Sequence, residues 1–463
     1  MERRFEKTLT TRDCKRHFQH RVIVPEHCAQ LDVDFRFTPA GAHDIRNLLT
    51  LTIFDPDGFR GAGHRGGNSH QVHIGASSAT PGYLAGPLPA GEWIIEIDTH
   101  MIVPGEPLRY SLSVVAGTAA EEPTVQHSPV ARANKVMAGR VARQVAGWYR
   151  GDLHAHTCHS DAAAFTVPDL VRLARSYNLD FVFLTDHNTV SGLVEMDGAI
   201  SGDLLTAGGM ELTTFWGHAL CLGTREWVDW RLRPRSGEMA RVAEAICAGG
   251  QLFVIAHPQA DGDPGCTGCS WRFGDMMPGN ARAVEIWNGP WNGDSNNEFA
   301  LLLFYDWLNQ GLRMVATAGT DAHGPAPEGS DIVPGFNVVY ATSLSERALL
   351  DAIRVGHLYL SSGPELLLEA VGVDGERWMV GDTAVRAATF SVTWDACPLD
   401  AEVRIIEDGR VLAVLPAQGH GEKQWSLSPD EATWVVVEIR AADGGMLAVT
   451  NPIFLSSPES TGE

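Results

Sequence analysis

The stretch "FVFLTDH", residues 181–187, decides how the rest of the chain is read. Phe181, Val182, Phe183 and Leu184 form an unbroken apolar run, with no polar alternation to mark a solvent face. A short run of this kind fits a strand covered on both sides, as in a sheet with helices packed over it. It stops at Asp186-His187, which places two polar residues at the expected C-terminal end of the strand. Just before it, "TVPDLVRLARSY" (166–177) reads as a helix, with Pro168 early and Leu170, Leu173, Ala174 and Tyr177 on one stripe.

The same alternation extends in both directions. Further strands are expected at "GDLHAH" (151–156), "LTAGGMEL" (205–212), "HALCLG" (218–223), "LFVIAH" (252–257), "AVEIWN" (283–288) and "RMVATAGTDAH" (313–323). Helices are expected in "SGEMARVAEAICAGG" (236–250), with Ser236 as N-cap and Gly249 at the end, and in "NEFALLLFYDWLNQG" (297–311). Seven buried strands interleaved with helices predict an α/β unit of the β/α-barrel kind.

The flanks have a different period. Leu31, Val33, Phe35 and Phe37 alternate with polar residues, and Trp93, Ile95 and Ile97 do the same, so a β-sandwich is predicted near the N-terminus. After residue 363, Phe390, Val392 and Trp394 alternate again, and Asp408-Gly409 marks a hairpin. The expected division is an N-terminal β-sandwich-like domain (1–117), a small, polar, proline-bearing linker (118–147), the α/β unit (148–363) and a C-terminal β-domain (364–463).

Polar residues gather where the buried strands end. His154 and His156 are two apart, so on a strand both imidazoles face one ion; Asp321 and His323 repeat the spacing. Asp161, His187, Glu211, His218 and His257 complete a set of six histidines and three carboxylates. Gathering so many ionisable groups for packing alone is too costly, and a multi-metal centre on one rim is expected.

The segments "GDLHAHTCHSD", "FLTDHN", "GMELTTFWGHALCLG", "IAHP" and "GTDAHG" occur in this order and resemble the ligand motifs of the polymerase and histidinol phosphatase (PHP) superfamily. The flanking β-domains, "EIWNG" and the form of the GMEL…GHALCLG segment resemble its carbaryl-hydrolase-like (CehA/McbA) branch more than histidinol phosphatase. The resemblance implies a distorted (β/α)7 barrel holding two or three divalent ions, zinc, manganese or iron. One ion is expected on His154, His156, Glu211 and Asp321. A second shares Glu211 with His218 and His257. A third sits on Asp161, His187 and His323.

A metal-dependent hydrolase follows as the expectation. A metal-bridging hydroxide would cleave a small ester, with phosphoesters slightly favoured over a carbamate or carboxylic ester. A non-catalytic metal-stabilised binding module is the reading from another class. Catalytic roles fall to Glu211, Asp321 and His159, the last either an acid facing the substrate or a solvated loop histidine. Asn288, Trp287 and Arg282 are expected to contact substrate, although the tryptophan equally suits packing.

Other features set limits. A formal charge of −22 disfavours extended nucleic acid as a partner. No stretch of about 20 apolar residues marks a membrane span, and the charged N-terminus does not resemble a signal peptide, so the cytoplasm is expected. The lone CxxC at Cys266 and Cys269 reads as free thiols in a loop. Asp186 is expected either to orient ligand histidines or to cap the next turn. His43, His64, His70 and His73 are expected at the surface, apart from any metal.

Overall fold

The computed structural model describes residues 1–118, 140–325 and 333–456, so most of the expected linker lies outside the described residues. The run that opened the reading forms the strand Phe181–Leu184, buried throughout. It lies in a row of seven strands whose spatial order is Gly147–Asp152, Phe181–Leu184, Leu205–Thr214, Gly217–Leu222, Leu252–Ile255, Ala283–Asn288 and Val315–Gly319. The first three run parallel, as do the last three. Gly217–Leu222 runs antiparallel to both of its neighbours. The two ends of the row approach each other, where the Asp321 N–H donates to the His154 carbonyl at 2.8 Å and the His156 N–H to Ala322 at 3.0 Å. Asn337 helps join them, with Oδ1 accepting from the Ala318 N–H and Nδ2 donating to its carbonyl.

The molecule is therefore a mixed α/β protein with many strands and few helices. A regular (β/α)7 alternation is not what this segment builds. Leu205–Thr214 and Gly217–Leu222 form a hairpin, and a turn that short cannot hold a crossover helix. The connection 256–282 contains no helix and carries several glycines and prolines instead. Helices do cover the row where the apolar stripes lay. Val167–Ser176 buries Leu170 and Ala174, and Thr166 caps it. Glu238–Ala248 buries Met239, Ala243 and Ile246. Its N-cap is Gly237 rather than Ser236; the Ser236 hydroxyl still accepts from the Glu238 N–H at 3.2 Å, one position further out. Asn297–Asn309 presents Leu301, Phe304, Tyr305 and Leu308 inward.

Two four-stranded antiparallel sheets lie N-terminal to this row. One is ordered Glu2–Leu9, Leu108–Gly117, Gln30–Thr38, Ser69–Gly75; the other is ordered His17–Val24, Gly91–Met101, Leu48–Asp55, Gly58–Gly63. They share one core, with Phe35, Leu112 and Val114 from the first meeting Leu51, Trp93 and Ile95 from the second.

On its other side Gly147–Asp152 pairs antiparallel with Phe336–Ala341, which pairs with Leu358–Ser361 and then Met446–Thr450. A single sheet thus crosses position 363 without a break and ends in the hairpin Glu402–Glu407 and Arg410–Pro416. The hairpin turns at Asp408-Gly409, both at positive φ (46° and 78°), as its sequence predicts. A four-stranded sheet containing Glu365–Gly372 and Ala388–Asp395 packs over this extension through Leu366, Phe390, Val392, Val403 and Val437. No helix among the described residues is long and apolar enough to cross a membrane.

Candidate metal centre

Gly147–Asp152 ends before the histidines, so the i, i+2 geometry comes from the first residues beyond the strand rather than from the strand itself. The buried Asp152 holds them there. Its carboxylate accepts from the His154 N–H at 3.1 Å, from the Thr320 N–H at 3.0 Å and from the Thr320 hydroxyl. One side chain thereby fixes both the His154/His156 segment and the Asp321/His323 segment. Burial pushes this carboxyl up to about 6, against the pull of the Thr320 bonds.

Glu211 sits at the centre with no exposed surface. Its Oε1 lies 3.0 Å from His218 Nδ1 and 3.2 Å from His257 Nε2. Its Oε2 lies 2.7 Å from His187 Nδ1 and 3.4 Å from Nε2 of both His154 and His156. Asp321 Oδ1 lies 2.8 Å from His156 Nε2 and 3.4 Å from His154 Nε2. Asp161 lies 3.1 Å from His323 Nε2 and 3.4 Å from His187 Nε2. The structure thus brings all nine sequence-chosen ligand candidates into one continuous cluster. Three-residue and four-residue groups within it offer converging ligand atoms, among them His154/His156/Glu211, His187/Glu211/His218 and His156/Asp161/His187/His323.

The donor set fits divalent cations. Nε2 of His154, both ring nitrogens of His156, Nε2 of His218, Nδ1 of His257, Oε2 of Glu211 and Oδ1 of Asp321 are buried without a hydrogen-bond partner. Leaving so many buried polar atoms unsatisfied is costly, and mixed imidazole and carboxylate ligation by zinc, manganese or iron would satisfy them. The electrostatics point the same way. Burial acts against charge throughout the cluster, yet the carboxylates of Asp321, Glu285 and Glu211 hold His154 well above the usual imidazole range. Against the same burial, His187, His154 and His218 hold Glu211 well below the carboxylate range. Burial and neighbouring imidazoles push His156 down to about 4.

Backbone strain concentrates at the same place. His257 (φ 26°) and Asp321 (φ 51°) are both non-glycine residues at positive φ. Such strain persists only where the surrounding structure enforces it. Gly268 sits against the cluster: at φ +80°, a Cβ there would meet the Thr214 carbonyl at 2.3 Å and His218 Nε2 at 3.4 Å.

Of the three residues read from sequence as substrate contacts, two lie away from the cluster. Arg282 precedes Ala283–Asn288, at the end of that strand away from the cluster, and its side chain is exposed. Trp287 has no exposed surface; it packs on Gly335 and Trp291, and its indole N–H bonds the Gly289 carbonyl. Asn288 does reach the cluster, but as a support. Its amide donates to Glu285 at 3.1 Å and Asp321 at 3.3 Å, and its Oδ1 accepts from the Ser295 hydroxyl. His159 is also turned aside: it is buried, with Nδ1 2.7 Å from Ser191 Oγ and Nε2 3.4 Å from Glu195. Asp186 neither orients a histidine nor caps its own turn. It accepts from the Thr157 N–H and hydroxyl and from the Ser160 hydroxyl, and so clamps the ligand loop.

Glu285, on the buried strand Ala283–Asn288, supports the cluster: it accepts from His154 Nδ1 at 3.0 Å and from the His257 N–H at 3.0 Å. Sequence reasoning placed some other residues wrongly. His64 and His70 are not surface residues. His70 is covered by Phe35 and Phe37. His64 packs its ring 4.7 Å from that of His187, inside the cluster's wall. His73 pairs with Asp32 at 2.7 Å and His43 is exposed, both apart from the cluster. Cys266 and Cys269, 5.6 Å apart at Cα, are joined as a disulfide instead of standing as free thiols, a separation within disulfide reach.

No family model matches the chain, and no curated protein matches it. Among solved structures it is similar to a two-domain Bacteroides vulgatus protein containing a predicted PHP-like metal-dependent phosphoesterase, at 15% identity over 66% of this chain and 96% of that one, with a TM-score of 0.37. It is also similar to a Bifidobacterium adolescentis protein whose assignment as a metal-dependent phosphoesterase is provisional, at 16% identity over 44% of this chain and 94% of that one, with a TM-score of 0.28. A periplasmic inhibitor of g-type lysozyme from Aeromonas hydrophila matches 25% of this chain at 12% identity and a TM-score of 0.16.

Proposed function

We propose that the chain is a metal-dependent hydrolase of PHP type, acting on a small ester with residues 148–363 as its catalytic unit. The observation that carries this reading is the cluster of buried, unpartnered imidazole and carboxylate atoms around Glu211 and Asp321. His154, His156, Glu211 and Asp321 would hold one ion, His218 and His257 a second with Glu211, and Asp161, His187 and His323 a third. Bound divalent ions lower the pKa of a coordinated water from 15.7 to roughly 7 and polarise the group under attack. Glu285 keeps Nδ1 of His154 protonated, so Nε2 presents its lone pair to the cluster. Asn288 holds Asp321 Oδ2, which leaves Oδ1 facing His154 and His156.

Phosphoesters are favoured, and diesters over monoesters. A monoester site usually adds an Arg or Lys for the non-bridging oxygens. Two cations of the described residues that reach the loops around the cluster are committed elsewhere: Arg65 bonds the carbonyls of Cys158 and Ser160, and Lys15 bonds Asp263 and the Phe215 carbonyl. The same scarcity of free cations among the described residues, with Phe215 and Trp216 in the turn just before His218, supports a carbamate or aryl ester as the second reading, in line with a carbaryl-hydrolase-like chain. Parallel assays of metal-loaded and chelator-stripped protein on p-nitrophenyl phosphate, its bis-ester and an aryl methylcarbamate test the proposal. Metal-dependent turnover, highest on the bis-ester, is expected. Turnover of the carbamate alone would overturn the phosphoester preference, and no metal-dependent turnover of any ester would overturn the hydrolase reading.

A further inference from the structure

The side-chain cluster on Glu211 is walled on one side by the N-terminal sandwich. His64 follows directly on the strand Gly58–Gly63. It is 9% exposed, and its Nδ1 is buried without a hydrogen-bond partner. Its ring lies 4.7 Å from that of His187 and, edge-on, 4.8 Å from that of His100. His100 is fixed in turn by Thr50 Oγ1, 3.1 Å from its Nε2.

The backbone around His64 is held to the ligand loop. Arg65 donates from Nε to the Ser160 carbonyl at 3.3 Å and from Nη2 to the Cys158 carbonyl at 3.2 Å. Gly82, also from the sandwich, donates to Ser191 Oγ at 3.0 Å and accepts from Thr189 Oγ1 at 2.9 Å. A Cβ at Gly82 would lie 2.7 Å from the His159 carbonyl, so the two parts meet backbone to backbone. His64 is therefore a rigidly carried imidazole with an open nitrogen, supplied to the cluster's wall by a different part of the chain. His64 belongs to none of the ligand groups around Glu211.

We infer that His64 is a substrate-contacting residue, donating a hydrogen bond to an oxyanion held at the cluster, so that the site is completed by the N-terminal sandwich. The inference rests on the reading of the cluster as a metal centre. It accounts for the unpartnered nitrogen, and it supplies a donor on a side of the site where the nearby cations are committed to carbonyls. One buried hydrogen bond to an anion corresponds to about a tenfold change in affinity.

The test uses the full chain, wild type and with His64→Ala or His64→Gln. Metal content is measured by elemental analysis, inorganic phosphate binding to the metal-loaded protein by calorimetry, and fold by thermal unfolding. The expected result is unchanged metal content in both variants, about tenfold weaker phosphate binding in His64→Ala, and binding largely restored in His64→Gln, whose amide is again a donor. Loss of an ion in His64→Ala would overturn the inference by making His64 a ligand. Phosphate binding indifferent to residue 64 would overturn it by making His64 packing, with the metal centre left standing. A wild type that takes up no metal would overturn both the inference and the centre on which it rests.

Discussion

Replacing Glu285 with glutamine tests how far the cluster depends on a residue that touches no ligand-facing atom. Glu285 is fully buried and accepts from three donors: His154 Nδ1 at 3.0 Å on one oxygen, and the His257 N–H at 3.0 Å and Asn288 Nδ2 at 3.1 Å on the other. Glutamine offers one oxygen and one NH2 group. With the oxygen toward His257 and Asn288, the NH2 meets His154 Nδ1 and drives that ring to the tautomer protonated on Nε2, the nitrogen aimed at the cluster. With the oxygen toward His154, the NH2 faces two donors, and unsatisfied buried groups cost about 1–3 kcal/mol. Either orientation weakens metal binding, by about 10–100-fold as for other residues that orient a ligand. That range equals about 1.4–2.7 kcal/mol of metal-dependent stability. Titration of the loaded protein with a competing chelator reads the affinity, and thermal unfolding with and without metal reads the stability. Glu285→Gln with wild-type metal affinity and wild-type unfolding would refute the role given to Glu285 and, with it, the tautomer given to His154.

Further outcomes follow from the same geometry. Glu211→Ala should lose metal and activity together, whereas Asp161→Ala should lose only the ion shared with His187 and His323 and leave a weaker enzyme; elemental analysis separates them, and the reverse pattern would show the ligand groups wrongly divided. His73→Ala should leave metal content unchanged, because His73 pairs with Asp32 and not with the cluster. Metal-free protein should lose stability as pH falls below 6.5. Burial first, then neighbouring imidazoles, holds His64 down at about 3 and His100 well below its ordinary value, so the unfolded chain takes up protons that the folded one refuses. Each such histidine contributes a slope of up to about 1.4 kcal/mol per pH unit, for His64 between pH 6.5 and about 3. Chemical unfolding across that range should show a shallower slope in His64→Phe than in the wild type, and an unchanged slope would contradict the burial assigned to His64.

Much of this was legible because buried strands and metal ligands leave strong local marks. "FVFLTDH" shows both at once, an apolar run followed by polar residues at its end. Most of the nine ligand candidates are close-spaced pairs or lie beside strand ends, while Glu211 lies within its strand and Asp161 in a loop, and the fold brings all nine together. What escaped the reading depends on contacts between distant segments. Glu285 stands near the expected rim in "AVEIWN", but its partner is not legible there, because only the sheet sets it beside His154, 131 positions earlier. His64 has no ligand pattern around it, and only the docking of the sandwich on the ligand loop brings it to His187. Trp287 and Arg282 were drawn to the site by their neighbours in sequence, but one packs in the core and the other lies at the far end of its strand. The hairpin at Gly217 broke the strand–helix alternation because hydrophobic period marks a strand without saying how it is joined to the next.

The central claim is that the cluster around Glu211 and Asp321 exists to hold divalent ions. Metal stoichiometry of the full chain, isolated without chelator and measured by elemental mass spectrometry, tests it most directly. Two or three ions of zinc, manganese or iron per chain are expected, with the two that share Glu211 lost together in Glu211→Ala. A content near zero that incubation with each of these metals fails to raise would contradict the account.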